Sequence, residues 1–317
     1  MSVFYFLVQQ TMFFSIPLLI VALGGMFSER SGVINIALEG IMIIGAFAGI
    51  LFIHFVQRFI PGQAALLLAV IVSMLAGTLV SLLHAYASIN LKANQIISGT
   101  AINMLAPALA IFIVRMIRNV QQIPFVNQFR VEKAPLLGDI PFLGSLLFKN
   151  TYLTTYIGLL IYALSAIVLY KTRFGLRLRA CGEHPQAADS AGINVYAMRY
   201  AGVMISGALA ALGGLVFVIP TSIEFNPEVA GYGFLALAVL IFGQWKPGRI
   251  LAAAFFFGFM KAISSSYSGI EFMRAFPIPA YIYKMIPYIA TLIVLAFSSK
   301  TSQAPRAAGM PYDKGRR

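Results

Sequence analysis

Long apolar runs follow one another along this chain, at roughly residues 7–27, 33–53, 64–88, 97–117, 151–170, 197–219, 230–243, 250–268 and 281–298. Most approach the length of about 20 residues that a helix needs to cross the hydrocarbon core of a bilayer. A chain of 317 residues that is 60% hydrophobic and 10% charged has too little polar surface for a water-soluble fold, since soluble domains carry about 25% charged residues. Without water in the hydrocarbon, only helices and closed barrels satisfy their own backbone. Barrel strands would show alternation over about 10 residues, and these runs do not alternate. The expectation is an all-α polytopic membrane protein, a bundle of about 8–10 transmembrane helices. The run 230–243 is too short to cross by a straight path and reads as a half-helix, or as one that begins near Pro227. Pro17 and Pro107 lie inside runs, where proline kinks or breaks a helix.

Charge sets the orientation. The net charge of +13 comes mostly from loops and tails, as positive-inside anchoring requires, and nucleic acid is not an expected partner. Segment 171–199 holds Lys171, Arg173, Arg177, Arg179 and Arg199 against Glu183 and Asp189. The tail holds Lys300, Arg306, Lys314, Arg316 and Arg317 against Asp313. Both are expected to be cytoplasmic, with Lys246 and Arg249; the loop with Glu224 and Glu228 then falls outside, as does the N-terminus. The 118–150 loop also counts as external although it carries Arg118, Arg130, Lys133 and Lys149. No basic region precedes the first run, so Val3 to Met26 reads as a retained span and not a cleaved signal. Cys181 is the sole cysteine, which rules out an intrachain disulfide. The organisation expected is a transmembrane domain over 1–299, with a cytoplasmic loop at about 171–196, and a basic cytoplasmic tail over 300–317.

Enzymatic chemistry has nothing to stand on. The chain has no G-x-x-x-x-G-K-[ST] phosphate loop, no H-E-x-x-H and no G-x-S-x-G elbow, the patterns that would cradle phosphates, hold zinc or present a serine nucleophile. His54, His84 and His184 are far apart, so no metal site and no cofactor are expected.

Two polar islands stand at membrane level. The first runs from Ser28 to Gly40, SERSGVINIALEG, and joins two apolar runs with almost no room for a loop. Such backbone is tolerated only where it is buried in protein or lines a watery path. The second is Asn94 to Asn103, NQIISGTAIN, whose Gln95, Ser98 and Ile102 follow helical spacing. Asn35, Glu39, Asn94, Gln95, Ser98 and Asn103 are therefore candidates to face a translocation pathway, although polar side chains of this kind also bond neighbouring helices. Small residues on one face, Gly45 and Gly49, then Ser73, Gly77 and Ser81, suit close helix packing.

The most informative segment lies on the basic side, RFGLRLRACGEHPQAADSAGIN over 173–194. Pro185 suits a helix start and Gly192 a helix stop. Between them Ala187, Ala188 and Ala191 make a low-profile knob, with Glu183 expected at its start, where a negative charge suits the dipole.

This segment resembles the cytoplasmic coupling loop of the branched-chain amino acid, simple-sugar and nucleoside permease family of ABC importers. The 28–40 stretch resembles that family's motif after its first span, 90–103 its next motif, and Gly243-Gln244-Trp245-Lys246-Pro247 the turn before a late span. The tail from Ala304 to Tyr312 resembles the nucleoside-type members. The resemblance implies a permease of about ten spans in the bacterial inner membrane, with no ATP site of its own. It implies pairing with a second related permease, a separate cytoplasmic ATPase and an extracytoplasmic solute-binding lipoprotein. It gives Gly182, Glu183, His184, Pro185, Ala187, Ala188, Ala191, Gly192 and Ile193 the role of docking the ATPase. The implied cargo is a small polar solute, a nucleoside before a simple sugar or a branched-chain amino acid; an ion-coupled secondary transporter is the alternative outside the class.

Overall fold

A computed structural model of the protein describes residues 2–60, 62–126, 128–133, 138, 140, 144–269, 279–298 and 303–314. The helices are α1 (Ser2–Arg30), α2 (Leu38–Val56), α3 (Gln63–Ala85), α4 (Gln95–Arg118), α5 (Leu153–Lys171), α6 (Arg173–Glu183), α7 (Pro185–Ser190), α8 (Val195–Thr221), α9 (Tyr232–Phe242), α10 (Pro247–Ser266) and α11 (Ala280–Ser298). Among the described residues seven are long and apolar enough to cross a membrane: α1 to α5, α8 and α10, with α3 prolonged by a π-helical turn to Asn90. The protein is thus an all-α polytopic membrane protein. α9 is short, eleven residues, and α11 adds a nineteen-residue apolar helix.

Three sequence expectations shift. Pro17 and Pro107 lie within unbroken helices. The second span begins at Leu38, not near 33, because residues 31–37 are not helical. The loops opposite α6 and α7 contain short strands: β1 (Ile123–Pro124) pairs with β4 (Glu224–Phe225), and β2 (Arg130–Lys133) with β3 (Lys149–Tyr152). The first pairing brings the basic 118–150 loop to the same face as the acidic loop of Glu224 and Glu228.

Side-chain caps set several helix starts, since the first N–H groups of a helix have no partner within it. Asn94 accepts from the Ile96 and Ile97 N–H groups at α4, Thr172 from Gly175 at α6, His184 from Ala187 at α7 and Asn194 from Ala197 at α8.

The centre of the bundle is α8, which packs against α1, α2 and α3. Small residues make this possible. A Cβ on Gly45 or Gly77 would overlap Ala211, one on Gly207 would overlap Ser81, and one on Gly214 would overlap the Met42 carbonyl oxygen. The Ser73 hydroxyl donates to the Ala211 carbonyl at 2.9 Å. Without a hydrophobic drive between helices in lipid, such close backbone approach supplies the attraction. The small-residue faces of α2 and α3 are therefore spent on packing within the chain.

Candidate functional site

The non-helical segment 31–37 lies inside the bundle, with Ser31, Val33 and Asn35 fully buried. Each polar backbone group left there must find a partner, because an unpaired one costs several kcal/mol in hydrocarbon. The polar residues singled out in the sequence supply many of those partners. Gln95 Oε1 accepts from the Ile34 N–H at 2.7 Å, and His84 Nε2 meets the Ile34 carbonyl at 2.9 Å. Ser98 Oγ lies 3.1 Å from the other nitrogen of that ring. Asn103 accepts from the Gly40 N–H at 2.7 Å and donates to the Ile36 carbonyl at 2.9 Å. Asn35 accepts from its neighbour Ala37 and donates to Ser206 of α8 at 2.9 Å. Asn94 stands apart as the exposed cap of α4. His84, fully buried, is the member of this network that sequence reasoning passed over; its place seven residues after Gly77 in a small-residue stripe was the available signal.

Glu39 has a different partner. Its carboxylate accepts from the Gly231 N–H at 2.9 Å and the Gly233 N–H at 2.6 Å. These donors open α9, so a half-buried carboxylate meets the positive end of a helix. This is how the short run 230–243 is accommodated: its exposed N-terminus is capped by a carboxylate from α2. Next to it Tyr232 is buried against Phe217, ring centroids 4.1 Å apart.

Replacing Asn103 with Leu would orphan the Gly40 N–H and the Ile36 carbonyl. Each lost partner costs about 1–3 kcal/mol, so Asn103→Leu should lower the melting temperature of the detergent-extracted protein markedly, whereas Thr100→Ala on the exposed side of the same helix should not.

On the face reached by the C-terminal ends of α1 and α5, α6 and α7 form a compact ledge. α7 is six residues long and ends as a Schellman turn: Gly192 sits at φ +81°, its N–H reaches the Asp189 carbonyl, and the Ile193 N–H reaches the Ala188 carbonyl. Two details differ from the expectation. Glu183 is the last residue of α6, not the first of α7; His184 is the cap, because its ring nitrogen, not the carboxylate, reaches the Ala187 N–H. The three alanines do not share one face. Ala188 is buried in a cluster with Cys181, Val195 and Tyr312, while Ala187 and Ala191 are exposed. Burial pushes the Cys181 thiol up, offset in part by the Arg199 charge. Clefts of about 400 and 610 Å³ flank Gly192–Asn194.

The ledge touches the buried break directly. A Cβ on Gly182 would overlap the Arg30 carbonyl oxygen, and Arg30 pairs with Glu183 at 3.4 Å. Arg30 also donates to the Trp245 carbonyl at 3.1 Å, and the Trp245 ring N–H donates to Glu29 at 2.6 Å. These bonds hold Gln244 and Trp245 at φ of 50° and 53°, a left-handed conformation that costs about 1–2 kcal/mol per non-glycine residue.

Residues 303–314 lie across the same ledge. The Ala307 N–H donates to the Gly182 carbonyl, Gly309 to the Gly32 carbonyl, Gln303 to Gln244 Oε1, and Arg199 to the Met310 carbonyl. Lys92 pairs with Asp313 at 3.0 Å. Burial and a hydrogen bond to Asp189 push the Tyr312 hydroxyl up to about 12, so at neutral pH it stays a hydrogen-bond donor. The tail and the 171–196 loop therefore share one side of the bundle.

The geometry is that of a polytopic membrane protein with a buried polar break, a capped short helix and a projecting ledge. A family profile described as branched-chain amino acid transport system / permease component matches residues 7–295, and the chain belongs to that family. It is 46% identical to the guanosine ABC transporter permease protein NupQ of Bacillus subtilis, over 98% of this chain and 97% of that one. It is 40% identical to the nucleoside ABC transporter permease protein NupC of Lactococcus lactis, with the same coverage. It is 24% identical to the NupB permease of that organism, likewise described as a nucleoside ABC transporter permease, over 94% of this chain and 83% of that one. The chain is thus a multi-pass permease subunit of an ABC importer, which works with a separate ATPase and a second permease.

Proposed function

We propose that this chain moves nucleosides inward across the bacterial cytoplasmic membrane as one half of a pair of related permeases. The observation that carries the cargo is the full-length similarity to two relatives described as guanosine and nucleoside permeases, at 46% and 40% identity. That Lactococcus lactis has two distinct nucleoside permeases, both similar to this chain, supports a heteromeric pair. An extracytoplasmic lipoprotein delivers the solute on the face of Glu224 and Glu228. The ATPase docks on the opposite, cytoplasmic face, which carries the C-terminal tail and the basic residues of 171–199.

Mechanism follows contact by contact. The ATPase seats against the exposed Glu183, His184, Ala187, Ala191 and Gly192 and the half-buried Ile193, with Gly182, Pro185 and Ala188 anchoring the knob from within. Closing the ATPase moves this ledge, and Gly182 and Glu183 press on Arg30 and Gly32. The break at 31–37 is the joint. Asn35, Gln95, Ser98 and Asn103 form the gate by holding the joint to α3, α4 and α8 in one arrangement, and Glu39 carries its motion to the N-terminus of α9; Asn94 fixes the start of α4 beneath it. A partner shifts such an equilibrium only by its differential affinity for the two states; here the closed ATPase favours one arrangement and the open ATPase the other. The chain performs no covalent chemistry.

Uptake of labelled nucleosides in a strain lacking this gene tests the cargo. Loss of guanosine, inosine and uridine uptake is expected, restored by the gene on a plasmid. Unchanged nucleoside uptake alongside lost sugar uptake would overturn it. Differently tagged copies test the pairing: the active complex should carry one tag of this chain and one of a second permease. An active complex with two copies of this chain and no other permease would contradict it.

A further inference from the structure

Lys261 of α10 lines two cavities on the side of the bundle opposite the ledge. The first, of about 240 Å³, is also lined by Phe217, Glu224, Asn226 and Glu228. The second, of about 340 Å³, is lined by Lys261 with Ser264, Ser265, Tyr267, Lys284 and Tyr288. Lysines at membrane level are costly and mark solute pathways unless they are paired or snorkel to the interface. Among the described residues neither Lys261 nor Lys284 has a carboxylate within ion-pair distance. Instead the Lys261 ammonium stands 6.0 Å from the Tyr232 ring centroid, and Lys284 lines the second cavity with it. Tyr232 is 1% exposed, yet among the described residues its hydroxyl has no hydrogen-bond partner. A buried hydroxyl without a partner is rare and calls for a ligand or a function. On α11, Tyr281, Lys284 and Tyr288 are all exposed and fall on one helical face.

The two cavities share the Lys261 ammonium and differ in what they add to it. The first adds the carboxylate acceptors of Glu224 and Glu228; the second, among its described lining, adds a second ammonium and hydroxyl donors. We propose that Lys261 and Lys284, with the Tyr232 hydroxyl beside them, form a transient site in the pathway for the carbonyl edge of a nucleobase, while Glu224 and Glu228 take the sugar hydroxyls. The rings of Phe217 in the first cavity and Tyr288 in the second give a flat base surfaces to slide along. Lysine donating to a base carbonyl and ring nitrogen is the pairing that selects guanine in nucleic-acid readout. The site therefore favours oxo-bases such as guanine, hypoxanthine and uracil over adenine, which presents an amino donor to the ammonium groups. This rests on the nucleoside reading above and adds to it where the base is read.

The test uses the whole transporter in cells, with the same delivery protein throughout, so that any change in preference belongs to the permease. The KM values for inosine and adenosine uptake are compared in wild type, Lys261→Met, Lys284→Gln and Lys261→Arg. Lys284 is exposed in the subunit, so Lys284→Gln keeps the proposal testable if Lys261→Met fails to accumulate. Both neutral variants are expected to shift the ratio of the two KM values by about tenfold against inosine, and Lys261→Arg is expected to keep the wild-type ratio. An unchanged ratio in the neutral variants, at normal membrane level and ATPase recovery, overturns the site while leaving the nucleoside reading intact. Absence of nucleoside uptake in wild type overturns both.

Discussion

Gly214→Val is expected to leave almost no folded protein in the membrane. Its Cβ would fall on the Met42 carbonyl oxygen, a backbone atom of α2 that cannot rotate away. The seam it would wedge open is the one that Gly45, Gly77 and Gly207 also keep narrow. Overpacking a tight core costs about 1–3 kcal/mol, occasionally more, out of a total of about 5–15 kcal/mol. Relief here would require moving α2 from α8, which would also strain the Asn35–Ser206 bond and the Glu39 cap on α9. The monodisperse peak on size-exclusion chromatography in detergent should shrink at least about tenfold. Gly248→Ala is the control, since nothing lies within 4 Å of an added Cβ there. A wild-type peak from Gly214→Val would refute the packing described for α2 and α8.

Much of this was legible in the residues, and the reasons differ from place to place. The apolar runs located the helices because the bilayer allows few alternatives. The 28–40 stretch announced a buried break because SERSGVINIALEG is too polar for a span and too short for a loop. What the sequence did not reveal was who satisfies whom. That Asn103 serves both Gly40 and Ile36, or that Glu39 caps a helix nearly 200 positions away, depends on tertiary placement. The short strands were hidden because two to four residues carry no periodicity. Glu183 was misplaced for a local reason: both Glu183 and His184 can cap a helix that starts at proline, and the geometry of the α6 end decides between them. The tail read as a polar appendage because its contacts are mostly made by backbone groups, to which composition is blind.

Placing a charge on the exposed side of α7 should uncouple the permease from its ATPase. Ala187 and Ala191 face away from the bundle, so Ala187→Glu with Ala191→Glu would add bulk and two charges to the joint without disturbing the Schellman turn or the Tyr312 contact. An unpaired charge in a desolvated interface costs several kcal/mol, enough to cut ATPase recovery and solute uptake together by at least about a hundredfold. Membrane level should stay near wild type. Ala188→Glu should behave differently. That side chain is packed against Cys181, Val195 and Tyr312, so the substitution should unseat α7 and lower thermal stability as well. Full recovery of ATPase and uptake in the double variant would show that α7 is not the docking knob.

The central claim is that this chain is a conduit driven from outside itself. It is tested most directly by reconstituting it in proteoliposomes with its partner permease, ATPase and delivery protein, and following labelled guanosine under two energy sources. The account predicts accumulation that requires ATP on the ledge side, stops when the ATPase is omitted, and is indifferent to a protonophore. Accumulation that persists without the ATPase and collapses with the protonophore would contradict it.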